Sequence, residues 1–201
     1  PNIRLGLKIK KNFPDIPIIY YIAPQEWAWR LGDSGTTDLI KFTDKILAIF
    51  EEEAKFYSNK GGNVNFIGHP MLDFYRNTPS REESLKVLGL TPDKKLLLII
   101  PASRKQELRY ILPTLLKTAK LLQEKDPSIT IYIPSGLKQF DRILMHSLKE
   151  YGLRGRVILS NEVDKLKPFL FSAAHLALSK SGTINMELAL NLVPQIVGYK
   201  V

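Results

Sequence analysis

The sequence has no cysteine among its 201 residues, which excludes disulfide bonds and metal sites built on thiolates. Its three histidines, His69, His146 and His175, are too scattered to form a paired metal-binding motif. We therefore expect no metal centre and no cofactor. The absence of cysteine also fits a reducing compartment.

Long apolar runs and the common nucleotide-binding motifs are missing as well. Residues 169–178 form the nearest apolar run, which is far below the roughly 18 to 20 residues of a membrane span and is interrupted by His175. Neither a Walker sequence nor GxGxxG occurs, so a P-loop or a dinucleotide-binding fold lacks support. The chain starts at Pro1 without methionine or a signal peptide and stops directly after a strand-like run, so we expect a fragment.

Positive charge dominates. Lysine and arginine number 29 against 20 acidic residues, giving a net charge of +9. Such a surface attracts polyanions, namely nucleic acid, anionic lipid headgroups or phosphorylated substrates, and charge alone does not choose among them. Six basic residues could bind a phospholipid surface, or they could simply form the solvent-exposed faces of helices, and both explanations stay open. They are Lys8, Lys10, Lys11, Arg109, Lys117 and Lys120.

Strand-like and helix-like segments alternate along the chain, which predicts an α/β fold with parallel sheets and right-handed crossovers. Predicted strands cover residues 18–22, 45–50, 64–67, 95–100, 129–133, 156–159, 176–178 and 195–199. Predicted helices cover residues 3–11, 51–59, 106–124, 139–151 and 165–173, with two more starting near residues 81 and 183. The pattern weakens over residues 73–81, and we place a domain boundary between residues 78 and 79.

Residues 175–199 predict a strand, a glycine turn, a helix and a second strand. Ser181, Gly182 and Thr183 would lie at the carboxyl end of a parallel strand, where a helix N-terminus offers N–H groups to an anion. Glu187 follows Thr183 by one helical turn, so a carboxylate would lie close to that turn. This suits a ligand with phosphate and sugar hydroxyls. An ordinary capped helix, with Glu187 in solvent, explains the same residues.

Two further turns follow strands and would reach the same sheet edge, at Ser103-Arg104 and Ser135-Gly136. Hydroxyls, N–H groups and one arginine gathered there suit a diphosphate.

In the amino-terminal half, the loop after the predicted strand at residues 18–22 contains Glu26, Trp27, Trp29 and Arg30. Such a loop could form the edge of a binding site. Either tryptophan could equally be a core residue. His69 also follows a strand and is a candidate acid, base or phosphate partner, although such histidines more often bond the backbone.

Five segments in order resemble lipid-A-disaccharide synthase, a glycosyltransferase family of the two-Rossmann-domain (GT-B) architecture. They are residues 24–30 (PQEWAWR), 66–70 (FIGHP), 100–104 (IPASR), 181–187 (SGTINME) and 197–199 (VGY). The resemblance implies two Rossmann-like domains: residues 1–78 as the later part of an acceptor-side domain, and residues 79–201 as most of a UDP-sugar-binding domain.

The resemblance also implies the reaction, in which an acylated glucosamine moves from UDP to an acylated sugar-phosphate acceptor, lipid X. The residues implied to hold the donor are Ser103, Arg104, Ser135, Ser181, Gly182, Thr183 and Glu187, with Glu187 on the ribose hydroxyls. The acceptor side would include Glu26, Trp27, Trp29, Arg30 and His69. The general base, an aspartate in this family, would lie upstream of Pro1.

The implied setting is a cytoplasmic enzyme, peripheral on the inner face of the membrane, without a nucleic-acid partner and with a homodimer as an option. Two other functions stay open: a different GT-B enzyme using UDP-GlcNAc, such as a cell-wall transferase or an epimerase, and a catalytically silent paralogue that binds sugar nucleotide or an anionic membrane.

Overall fold

Strands and helices alternate throughout the computed structural model, which describes residues 2–28, 34–101 and 104–199. The chain divides into two compact units, with the division between Phe74 and Tyr75. The boundary predicted from the sequence, between residues 78 and 79, falls slightly later in the same connection.

The first unit is organised on a parallel sheet. Its elements are α1 (Asn2–Asn12), β1 (Ile19–Tyr21), α2 (Ser34–Phe42), β2 (Lys45–Ala48), α3 (Glu51–Asn59), β3 (Val64–Phe66) and α4 (Met71–Phe74). The described strands lie in the order β1-β2-β3. Leu39, Phe42, Ile46 and Tyr57 form the buried core between this sheet and its helices.

The second unit contains the larger sheet. Its elements are α5 (Arg81–Leu88), β4 (Lys95–Ile100), α6 (Lys105–Lys125), β5 (Ile129–Pro134), α7 (Lys138–Glu150), β6 (Gly155–Ile158), α8 (Val163–Ala173), β7 (Ala174–Lys180), α9 (Ile184–Leu190) and β8 (Gln195–Gly198). All strand pairs are parallel, in the order β6-β5-β4-β7-β8.

The central strand β4 is buried on both faces, which explains its continuous apolar sequence. Leu97 and Ile99 pack into a core with α6 and α7, whereas Leu96 and Leu98 pack into a second core with α5 and α8. The sheet is therefore covered by helices on both sides. This is the doubly wound arrangement, and it fixes which strand ends meet at one edge.

The predicted α/β class, with parallel sheets flanked by helices, is confirmed. Within the described residues a Rossmann-like sheet with two buried faces is present in the second unit, and the first unit has a smaller sheet of three strands. Helices α2 and α4 had no clear signal: Gly35, Thr36 and Thr37 are poor helix formers, and α4 has only 4 residues.

Gly155 begins β6 opposite Ile131, and a Cβ atom at Gly155 would collide with the Ile131 carbonyl oxygen. We expect Gly155→Ala to lower the free energy of unfolding by about 1–3 kcal/mol, since two backbones must separate to admit the methyl group. Urea denaturation followed by circular dichroism measures the loss. Gly136→Ala is the matched control, because a Cβ there meets nothing within 4 Å. Equal stability of the two variants would contradict the close approach of β5 and β6.

Candidate functional site

A cavity of about 410 Å³ opens at the carboxyl edge of the second sheet. Ile100 of β4, Pro134 of β5 and Lys180 of β7 line it at the ends of their strands. The chain leaves β4 towards β5 on one side and later returns to β7 on the other side, so the strand order reverses at this point. In open parallel sheets, that reversal is where ligands bind.

Two of the cavity's cations share one carboxylate. Lys180 Nζ lies 3.0 Å from Glu107 Oε1, and Arg104 lies 3.7 Å from the same oxygen. Glu107 is in the first turn of α6, three positions after Arg104, so the helix itself brings the pair together. The Arg104 side chain is 81% exposed and therefore remains available to an anion in the cavity.

The turn at Ser181, Gly182 and Thr183 also lines the cavity, as the sequence predicts. Thr183 precedes α9 but makes no side-chain cap. Asn185 organises the turn instead: its Oδ1 accepts from the Gly182 N–H at 2.7 Å, and its Nδ2 donates to Ser179 Oγ at 2.7 Å. The Ser181 N–H donates to the Gly198 carbonyl oxygen at 3.3 Å.

These two N–H groups are therefore engaged within the fold, although the sequence pattern predicts that N–H groups of this turn are offered to an anion. The turn presents two exposed residues to the cavity, Ser181 and Thr183. The adjacent Lys180 lines the cavity as well.

Glu187 contacts the cavity through a lining lysine, and its side chain is 14% exposed. Its Oε2 is 2.5 Å from Nζ of Lys167, a cavity-lining residue of α8, and accepts a hydrogen bond from the Tyr75 hydroxyl. Burial and the Glu187 carboxylate raise the pKa of Tyr75, so its hydroxyl stays a proton donor at neutral pH. A solvent-exposed Glu187 is thus excluded.

The remaining donor-side predictions divide into two cases. Ser135 is fully buried, and its hydroxyl donates to the Leu137 carbonyl oxygen at 3.1 Å. Asp141, at the start of α7, accepts from the Ser160 N–H and hydroxyl; burial raises the pKa of Asp141, but these hydrogen bonds contribute to a net lowering of it. Ser135 therefore holds the loop after β5, and Gly136 is the residue that lines the cavity. Ser103 lies outside the described residues.

The first unit gathers aromatic side chains at the carboxyl ends of its strands. The rings of Trp27 and Phe50 are 5.7 Å apart, and those of Phe50 and His69 are 5.3 Å apart. The indole Nε1 of Trp27 is buried without a hydrogen-bond partner, and Glu26 accepts a hydrogen bond from Thr36. Trp27 and His69 are thus both in contact with the Phe50 ring, and Glu26 precedes Trp27 in the same loop.

His69 Nδ1 accepts a hydrogen bond from the Met71 N–H at 3.2 Å, so this histidine does bond the backbone. Trp29 and Arg30, the other acceptor-side candidates, lie outside the described residues.

The sequence reasoning missed Glu107, Lys167, Lys180 and Tyr75. Glu107 and Lys180 had local signals, because each lies next to a predicted site residue on the same helix or turn. Tyr75 had none, since 112 positions separate it from Glu187. Only the folded chain brings those two side chains into contact.

Across residues 2–28, 34–101 and 104–199, the structure contains no helix that is long and apolar enough to cross a membrane. The same residues contain no cluster of three or more histidine, aspartate or glutamate side chains arranged to hold a metal ion.

Comparison with known proteins gives consistent results. The family model described as lipid-A-disaccharide synthetase matches residues 1–201. Curated lipid-A-disaccharide synthases of Prochlorococcus marinus and Gloeothece citriformis are 56% and 44% identical over 200 residues. Those alignments cover 100% of this chain and 51% of each relative, so the chain spans about half their length.

Among solved structures, S. aureus MnaA in its UDP co-structure is similar with a TM-score of 0.67 at 17% identity, covering 96% of this chain and 53% of that chain. At this identity the likeness shows a shared fold.

Proposed function

This chain belongs to the lipid-A-disaccharide synthetase family, and we propose that the protein carrying it transfers an acylated glucosamine from a UDP-sugar to a lipid X type acceptor. The second unit would bind the UDP-sugar, and the first unit would contribute to binding of the acceptor. The observation that carries the donor assignment is the cavity at the strand reversal, lined by Arg104, Lys167, Lys180 and the Ser181–Thr183 turn.

The charges of this cavity suit a nucleoside diphosphate. Glu107 pairs with Lys180 and Glu187 pairs with Lys167, whereas Arg104 is only weakly paired and largely exposed. A planar guanidinium can bind two phosphate oxygens at once. We assign Arg104 to the diphosphate, where it would also stabilise the negative charge that develops on UDP as the sugar leaves. The similar S. aureus structure carrying UDP supports this class of ligand.

Glu187 is assigned to the ribose hydroxyls, and Glu26, Trp27 and His69 to the acceptor side. Ser103, Trp29 and Arg30 stay in the proposed site through the family resemblance. An aromatic cluster with a carboxylate beside it can contact both the ring and the hydroxyls of a sugar.

Peripheral membrane association is also a proposal, and it rests on the net charge of +9. Lys10 contributes less to it, because it pairs with Asp44 at 2.9 Å.

Titration calorimetry of the full-length protein with UDP, with and without magnesium, tests the donor site. We expect binding in both conditions and a roughly tenfold or greater weakening in Glu187→Gln, because a hydroxyl bonded to a charged acceptor contributes about 1.5–3 kcal/mol. Glu150→Gln, at an exposed carboxylate of α7, should bind like the wild type.

Absence of UDP binding in both conditions would overturn the proposed transferase and favour a catalytically silent paralogue that binds an anionic membrane. If UDP binds, turnover of the acylated donor against unacylated UDP-GlcNAc separates the proposed reaction from a cell-wall transferase or an epimerase.

A further inference from the structure

Glu187 is held by side chains from two other parts of the second unit. Tyr75 precedes α5, and Lys167 lies in α8, yet the Tyr75 hydroxyl and Lys167 Nζ both reach the same carboxylate oxygen, Oε2. The Tyr75 ring also lies beside the Phe171 ring of α8, with ring centroids 6.3 Å apart.

The arrangement is costly if it serves stability alone. The side chains of Glu187 and Lys167 are 14% and 30% exposed, and a largely buried ion pair gains little over a well-packed apolar pair because both charges lose hydration. A carboxylate offers about four acceptor positions on its two oxygens. Two donors on Oε2 fix the rotation of the group and leave acceptor capacity on the carboxylate.

The location points to a ligand. Lys167 lines the cavity, and Glu187 follows the cavity-lining Thr183 by one turn of helix. The carboxylate therefore lies next to the wall of the cavity whose cationic groups suit a diphosphate. A pair of adjacent hydroxyl groups is the ligand chemistry that a fixed, ionised carboxylate accepts well.

We propose that Tyr75 and Lys167 are positioning residues, which hold Glu187 so that its carboxylate accepts hydrogen bonds from the ribose hydroxyls and makes the site selective for a ribonucleotide. This inference rests on the proposed UDP-sugar function. Neither side chain is assigned contact with the reacting atoms; each acts through Glu187.

The test compares the affinities of UDP and 2′-deoxy-UDP for the full-length protein by titration calorimetry. The wild type should prefer UDP by about tenfold or more, because the deoxy nucleotide lacks one hydroxyl that Glu187 accepts. Tyr75→Phe and Lys167→Met should each lower that preference several-fold. Any direct attraction between Lys167 and phosphate cancels in this ratio, since both nucleotides carry the same diphosphate.

Tyr132→Phe is the matched control. Tyr132 is also buried in the second unit, and its hydroxyl donates to the Leu88 carbonyl oxygen at 2.7 Å, away from Glu187. This variant loses a buried hydroxyl bond of similar kind, and its preference for UDP should equal that of the wild type. In a Glu187→Gln background, Tyr75→Phe should have no additional effect on the ratio, because the partner that it positions is already changed.

The outcomes separate the inference from the function on which it rests. Lack of UDP binding by the wild type overturns the proposed function. Normal UDP binding with an unchanged ratio in both Tyr75→Phe and Lys167→Met overturns the positioning role, as does an equal weakening of both nucleotides. A lowered ratio in either variant, with Tyr132→Phe unchanged, supports it.

Discussion

Phe140→Ala is expected to lower the free energy of unfolding by about 3–5 kcal/mol, the usual loss for truncating a buried aromatic ring. Phe140 is 1% exposed and packs in the core between α7 and the sheet, with Leu97, Ile133 and Leu144 in the same cluster. A loss of this size is a large fraction of the 5–15 kcal/mol that is typical of a folded domain.

Urea denaturation of the full-length protein measures this effect. The matched control is Phe74→Ala, because the Phe74 side chain is 82% exposed and its removal should change stability by no more than about 0.5 kcal/mol. A Phe140→Ala loss below about 1 kcal/mol would show that α7 does not pack on the sheet as described.

Arg104→Ala is expected to weaken UDP binding by about 1.5–3 kcal/mol, which corresponds to roughly 10- to 150-fold in the dissociation constant. The reason is loss of a charged hydrogen bond to phosphate. Stability should not change, because the side chain is 81% exposed and its contact with Glu107 is long, at 3.7 Å.

Calorimetry with UDP gives the affinity, and thermal unfolding without ligand gives the stability. Arg142→Ala removes another exposed arginine, on α7, and should leave UDP affinity unchanged. An unchanged affinity in Arg104→Ala would remove Arg104 from the proposed site, whereas a loss that appears equally in Arg142→Ala would indicate only a general effect of charge.

The prediction of the fold succeeded best for helices with a clear apolar periodicity or with recognisable capping residues at their ends. Helix α6 was predicted over residues 106–124 and spans Lys105–Lys125, because its apolar residues recur on one face over many turns. At α5, the Ser80 side chain accepts from the Glu83 N–H and Gly89 adopts the left-handed C-cap that glycine permits. Short elements with weak local preference, such as α4, were missed.

The candidate site divides in the same way. Arg104 and the Ser181–Thr183 turn could be placed from the sequence, because turns that follow parallel strands must meet at one edge of the sheet. The sequence could not show which groups at these turns are hydrogen-bonded, buried or paired with a neighbouring charge. Asn185 engages the Gly182 N–H, the loop after β5 buries Ser135, and Lys180 shares Glu107 with Arg104.

The sequence by itself determined the α/β alternation, the family, and the strand ends where a phosphate-bearing ligand is expected, since these depend on local periodicity and short motifs. Only the tertiary structure decided which side chains surround Glu187. Tyr75 and Glu187 are 112 positions apart, and their contact exists because α5, α8 and α9 pack on the same face of one sheet. Contacts between distant segments follow from packing, which no local pattern records.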